Sequence, residues 1–255
     1  MSALGHYLEE EGIATVAIAL IRPQAENTKP PRALWVPFEL GRPLGPPSDA
    51  AFQKRVLLAA LHILVEDGGP LRIVDFPDDD LRARPDPAWR PPFMPAAVTN
   101  GLAESLASRL EEEVLVLHGA HQRWMAQHAR STIGLSGLAI AEAARYVADW
   151  LRGKKPPSLR DGFSAPLILR FAVDDLKAYG LEAAAAGGPA KPSSRQLGDW
   201  LWNETATGAA LYALRDLLLT QDDERLRLIV ANFMVPAARL RVGETGDAGG
   251  QGTGL

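Results

Sequence analysis

The sequence predicts an α+β protein, a small N-terminal α/β unit of about three strands and two helices followed by an all-α bundle. Three observations lead there. Short β-branched apolar runs alternate with helical patterns, but only over the first third of the chain. A proline-rich, charged stretch over residues 77–95 then interrupts both patterns. Beyond it, apolar residues recur at helical spacing with short breaks between segments, as in an antiparallel bundle.

Each element has a local reason. Ser2 to Glu11 reads as a short helix that Ser2 can cap and Gly12 stops, with Glu9 to Glu11 poorly placed at its negative end. Ile13 to Ile21 is apolar on both faces, as a buried strand is. Arg22 to Pro31 is polar and carries three prolines, so it reads as a loop. Arg32 to Phe38 is a second strand, ended by Pro37 and the turn cluster from Gly41 to Pro47. From Ser48 to about Asp67, Phe52, Val56, Ala59, Ala60, Ile63 and Leu64 follow the 3.6-residue period. Leu71 to Phe76 is the third strand. The domains are therefore 1–76, a connector over 77–95, the bundle over 96–242, and a Gly-rich tail over 243–255 whose composition predicts disorder. Bundle helices are expected over Ala96–Ser131 (one helix or a pair), Gly137–Trp150, Pro166–Ala186, Ser193–Thr220 with a bend near Gly208, and Asp222–Arg239.

Composition excludes several classes of function. The 255 residues hold 27 Lys plus Arg and 31 Asp plus Glu, for a net charge of −4. That balance lacks the basic footprint of a nucleic-acid binder. No apolar run reaches the roughly 20 residues that span a bilayer, so no membrane partner is expected. The N-terminus has no basic stretch followed by an apolar one, which predicts no signal peptide and a cytoplasmic location. Cysteine is absent, which removes disulfides, thiolate metal sites and cysteine nucleophiles from this chain.

Three segments of the first third belong together: Glu9-Glu-Glu-Gly-Ile-Ala-Thr-Val16, Pro31-Arg-Ala-Leu-Trp-Val-Pro37 and Leu40-Gly-Arg-Pro43, followed by an amphipathic helix. In this order they resemble the C-terminal part of selenoprotein B of the glycine, sarcosine, betaine and D-proline reductases, over about residues 5–66. Gly12-Ile13-Ala14 stands where that family has Gly-Ile-Pro, and Arg32 stands for the arginine before its second strand. Pro37 to Pro43 stands for Pro-His-Pro-Leu-Gly-x-Pro, with Phe38 in place of the histidine. The family's reactive selenocysteine or cysteine lies just upstream of the first of these helices. The resemblance therefore implies that the reactive segment is not carried by this chain, and no catalytic residue of the family transfers. It implies a shared half-domain and a shared kind of partner: a homo-oligomer, or a hetero-oligomer with a redox-active subunit.

Elsewhere, the residues offer weaker candidates. His118, His121 and His128 lie near one stripe of one predicted helix, with Glu111 a heptad earlier. Imidazoles and a carboxylate could hold a transition metal if another helix added Asp174, Asp175 or Glu204. Histidines at a partly buried helix edge are the plainer reading. Asp174-Asp175 could work as an acid–base pair, but adjacent helical residues diverge by about 100°. In Asp199 to Thr205, Trp200 and Trp202 fall on different faces, so one is core and the other can reach a pocket or partner. Asn203 and Glu204 could line that pocket. Arg22, Arg32 and Arg42 cluster around loops and could clamp a carboxylate. Ser131 and Ser136 lack a nucleophile elbow. The expectation is a thiol-free subunit of an oxidoreductase complex, with a stand-alone metal-dependent enzyme or a non-catalytic scaffold as alternatives. The sequence assigns no cofactor.

Overall fold

The computed structural model of the chain describes residues 2–65, 71–79, 84–93, 103–186 and 190–240. The chain divides into two compact units, Met1–Pro85 and Asp86–Leu255.

In the first unit, β1 (Ala17–Ala19), β2 (Arg32–Trp35) and β3 (Arg72–Asp75) form a parallel sheet in the order β1-β2-β3. Ala17 is in register with Ala33, and Ala33 with Ile73. Helix α1 (Ser2–Glu10) precedes the sheet, α2 (Arg22–Thr28) joins β1 to β2, and α3 (Ala50–Val65) joins β2 to β3. Successive strand residues face opposite sides, so Leu34 and Val36 share one face and Ala33 and Trp35 the other. Against the Leu34 face α3 buries Val56, Ala60 and Ile63. Phe38, Phe52 and Phe76 close this core with ring centroids 5.5–5.9 Å apart. Phe38, which replaces a histidine in the resembled motif, is thus a packing residue. Gly45 has φ 83°, and a Cβ there would lie 2.5 Å from the Phe52 ring, so the turn before α3 requires glycine.

Two expectations change here. Arg22 to Pro31 contains helix α2 rather than being a loop throughout. Pro23 stands in the first turn, where no backbone donor is needed, and Lys29 ends the helix in the left-handed region at φ 46°. The first strand is shorter than Ile13–Ile21, because Glu9 accepts both the amide and the hydroxyl of Thr15 (2.6 and 2.9 Å) and holds the chain outside the ladder. Ile13 is 54% exposed.

The second unit is helical: α4 (Ala103–His128), α5 (Ile140–Leu151), α6 (Ala165–Ala185), α7 (Ser194–Glu204), α8 (Ala206–Leu219) and α9 (Glu224–Phe233), then a 3₁₀ turn over Ala237–Arg239. Helix α6 packs against each of the other five. Its Ile168, Leu169, Leu176 and Tyr179 are fully buried with Leu110, Leu117, Trp200, Leu211 and Leu214. The latter half of the connector belongs to this unit. Trp89 is buried in its core, Phe93 meets Trp200 edge-on at 6.0 Å, and Gln196 donates to the Asp86 carbonyl while accepting its amide. The helix expected over Ser193–Thr220 is two helices rather than one bent one, broken at Thr205. Among the described residues no helix is long and apolar enough to cross a membrane. The expected helix start at Ala96 and the tail over 243–255 lie outside the described residues.

Candidate functional site

One face of α6 gathers two buried carboxylates and their partners. Asp175, Tyr179 and Glu182 recur at spacings of four and three, so they share that face. Glu182 accepts the Ser131 hydroxyl (2.7 Å) and the Thr132 amide and hydroxyl (both 2.8 Å), and its Oε2 lies 3.0 Å from His121 Nε2 on α4. Burial pushes this carboxyl up, but the four hydrogen bonds outweigh burial and hold it below the usual carboxylate range. Asp175 accepts the amides of Gly134, Leu135 and Ser136 at 2.8–3.0 Å, and the Ser136 hydroxyl at 2.5 Å. Tyr179 lies between the two carboxylates. Its ring is 4.6 Å from that of His121, its hydroxyl donates to the Val114 carbonyl, and burial raises its pKa to about 12.

A third buried carboxylate, Glu113 on α4, performs the same service for α8. It accepts the amides of Ala206 and Thr207 and the Thr207 hydroxyl at 2.6–3.0 Å, satisfying the free donors of that helix start. Here burial outweighs the hydrogen bonds, and the carboxyl is pushed up.

These groups are saturated by the fold's own donors. His121 and Ser131 both address Glu182, rather than the imidazole standing between hydroxyl and carboxylate, so no nucleophile relay is assembled. The histidine stripe does not converge either. His118 and His128 are exposed while His121 is buried. His128 stacks on Trp124 at 3.5 Å, about 10 Å along the helix from His121. Among the described residues no group of three His, Asp or Glu side chains is placed to hold a metal. Asp174 and Asp175 diverge as expected: Asp174 pairs with Lys177 at 2.7 Å on the outer side. Glu111 binds Arg152 at 2.9 Å.

Other candidates are also engaged separately. Arg22, after β1, binds Glu26 and Asp75 and lies over the Trp35 ring at 5.1 Å. Arg32 opens β2 at the opposite end of the parallel sheet and binds Glu9 at 2.6 Å, and Arg42 lies 3.6 Å from Glu39. The three arginines therefore form no common clamp. Trp200 and Trp202 are 1% and 7% exposed, so both are core rather than one reaching outward. Asn203 and Glu204 are exposed at the end of α7, where Thr205 is buried as a cap.

The feature left unspent is a surface. On the side of α3 away from the sheet, Leu57, Leu58, Leu61 and Val65 are 45%, 44%, 55% and 78% exposed. They form a contiguous aliphatic row over two turns. Among the described residues, half of the other exposed large apolar side chains also fall in the first, smaller unit, among them Leu4, Tyr7 and Ile21. The row was readable as Leu57-Leu58 and Leu61 beside the core stripe, since a helix apolar on both sides has a second face to cover. Of the buried α6 carboxylates, Asp175 is marked in the sequence by the Asp174-Asp175 pair, and Glu182 by standing alone in an otherwise apolar Leu181-to-Ala186 run.

No protein-family model, no curated protein and no solved structure matches this chain.

Proposed function

We propose that the protein is a thiol-free subunit of an oxidoreductase assembly, docking through its first unit onto a chain that carries the redox-active cysteine or selenocysteine. The exposed aliphatic row of α3 carries this reading. A two-turn row of leucines and valine left in water is an interaction surface in want of a cover. Three further observations support it. The three-stranded sheet has β1 and β3 at its edges, each with one neighbouring strand among the described residues, so it can accept another strand. Among the described residues, the buried carboxylates Glu113, Asp175 and Glu182 of the helical unit are committed to holding helices and loops together, so the redox chemistry falls to the partner chain. The order of strand, strand, Pro/Gly turn and helix also matches the order in the resembled reductase segment.

The test is recovery of the tagged, full-length chain from its native host, beside a Leu58→Asp/Leu61→Asp variant. A stoichiometric partner bearing a reactive cysteine or selenocysteine, retained by the wild type and lost from the variant, is the expected result. A stable partner without a redox group would make the protein a scaffold. A monomer that retains no thiol-bearing partner overturns the proposal.

A further inference from the structure

The connection between α4 and α5 is tethered in two unlike halves. Residues 134–136 are anchored deeply: Asp175 takes three amides and the Ser136 hydroxyl, Ser136 is fully buried, and Arg160 donates to the Leu135 carbonyl at 2.9 Å. Residues 130–133 are tethered lightly. Outside the segment Ser131 and Thr132 reach only Glu182, the Ser131 oxygen accepts the Ile133 amide at 3.1 Å, Thr132 is exposed, and Ile133 is a half-buried apolar contact. No backbone-to-backbone hydrogen bond joins them to another element among the described residues.

Both ends of this lighter half have left-handed backbone. Ala129 has φ 53°, a conformation that costs a residue with a Cβ about 1 kcal/mol, and Gly134 has φ 120°. Beneath the segment lie the Glu182 carboxylate and His121, the one buried histidine among the described residues.

We propose that residues 130–133 form a flap that opens about Ala129 and Gly134 and bares the His121–Glu182 pair while the bundle stays folded. The device follows from the distribution of contacts. Local opening takes place where few tertiary contacts hold a segment: 130–133 is held by Ser131 and Thr132 on Glu182 and by half-buried Ile133, whereas 134–136 is fixed by four hydrogen bonds to fully buried Asp175 and one from Arg160. In the open state Glu182 exchanges its flap donors for water and keeps His121, so the imidazole–carboxylate pair becomes reachable from solvent. This inference is independent of the α3 docking surface.

Native-state hydrogen exchange of the full chain tests it. In the wild type, the Thr132 and Ile133 amides should exchange by a route insensitive to low denaturant, whereas the Ser136 amide and the core amides of α4 and α6 should show the steep dependence of global opening. In Glu182→Gln, exchange at Thr132 should rise by about tenfold or more with Ser136 unchanged. Carbethoxylation of His121 by diethyl pyrocarbonate, followed by mass spectrometry, should speed up in parallel, with His118 and His128 reacting at their wild-type rates. A Thr132 amide in the wild type with the same denaturant slope as the α6 core overturns the flap. So does a Glu182→Gln variant in which Ser136 and the helices lose protection together with Thr132. The wild-type slope stands even if the variant fails to fold.

Discussion

Glu182 and Glu113 are both buried glutamates facing backbone amides, yet their protons answer to opposite forces. At Glu182 the donors win and the folded-state pKa is depressed, so the ionised form is favoured by folding. Its stabilisation is present above the unfolded value, about 4.3, and is lost as pH falls through the lower folded value. At Glu113 burial wins, the folded pKa is raised, and its contribution declines as pH rises through that value. Thermal melts of wild type and Glu182→Gln should therefore differ most at neutral pH, by about 1–3 kcal/mol for the lost charged acceptor, and converge as pH falls toward 3. A pH-independent gap would show that the carboxylate's charge contributes nothing. None of this pairing was written in local pattern. Asp174-Asp175 drew notice as neighbours, but the pair that matters is Asp175 with Glu182, seven residues on, and its partners come from a loop about 40–50 residues earlier in the chain. Likewise His121 stood out with His118 and His128 by spacing, whereas burial separates it from both.

Among the elements, the joint between α7 and α8 shows how one residue decides between a bend and a break. Thr205 donates its hydroxyl to the Leu201 carbonyl at 2.6 Å and accepts the Gly208 amide at 3.0 Å, closing one helix and opening the next. The two helices approach so closely that a Cβ on Gly208 would lie 2.3 Å from the Leu201 carbonyl oxygen and 2.9 Å from Trp202 Cα, both backbone atoms that cannot swing aside. Gly208→Ala should cost more than about 2 kcal/mol in denaturant unfolding, through forced separation of α7 and α8. Gly119→Ala is the matched control: it is helical and exposed, with its nearest neighbour an Arg123 guanidinium nitrogen at 3.9 Å, so it should stabilise by about 0.5–1 kcal/mol. Equal effects would mean that the Gly208 approach is not tight. The sequence marked this place through Gly208, since glycine inside a helical pattern signals either a defect or a contact. Thr205 as a cap was masked by the apolar period running through it. Helix α2 is hidden in the sequence for a related reason, because proline reads as a breaker, whereas its position in the first turn makes it a starter.

For the molecule as a whole, the two-unit organisation and the helical character of the second unit were legible because they rest on period and composition summed over many residues. The boundary at Pro85 falls inside the proline-rich stretch, and only the side chains show that Trp89 and Phe93 beyond it are bundle core. Helix α3 then separates folding from assembly. Its inner stripe of Val56, Ala60 and Ile63 holds the sheet, and its outer row of Leu57, Leu58, Leu61 and Val65 has no such duty. Substitution on the two faces should dissociate the two roles. Ile63→Ala removes a side chain 3% exposed and should destabilise the first unit by about 2–5 kcal/mol, through transfer and cavity terms together. Leu61→Glu, two residues earlier, should leave its unfolding within about 0.5 kcal/mol of wild type and raise solubility. Circular dichroism melts and equilibrium sedimentation of both variants check the pair. If Leu61→Glu unfolds the unit as Ile63→Ala does, the outer row belongs to the chain's own core and docking through α3 fails with it. If it leaves the fold intact and abolishes partner retention, the row's one role is to meet another chain.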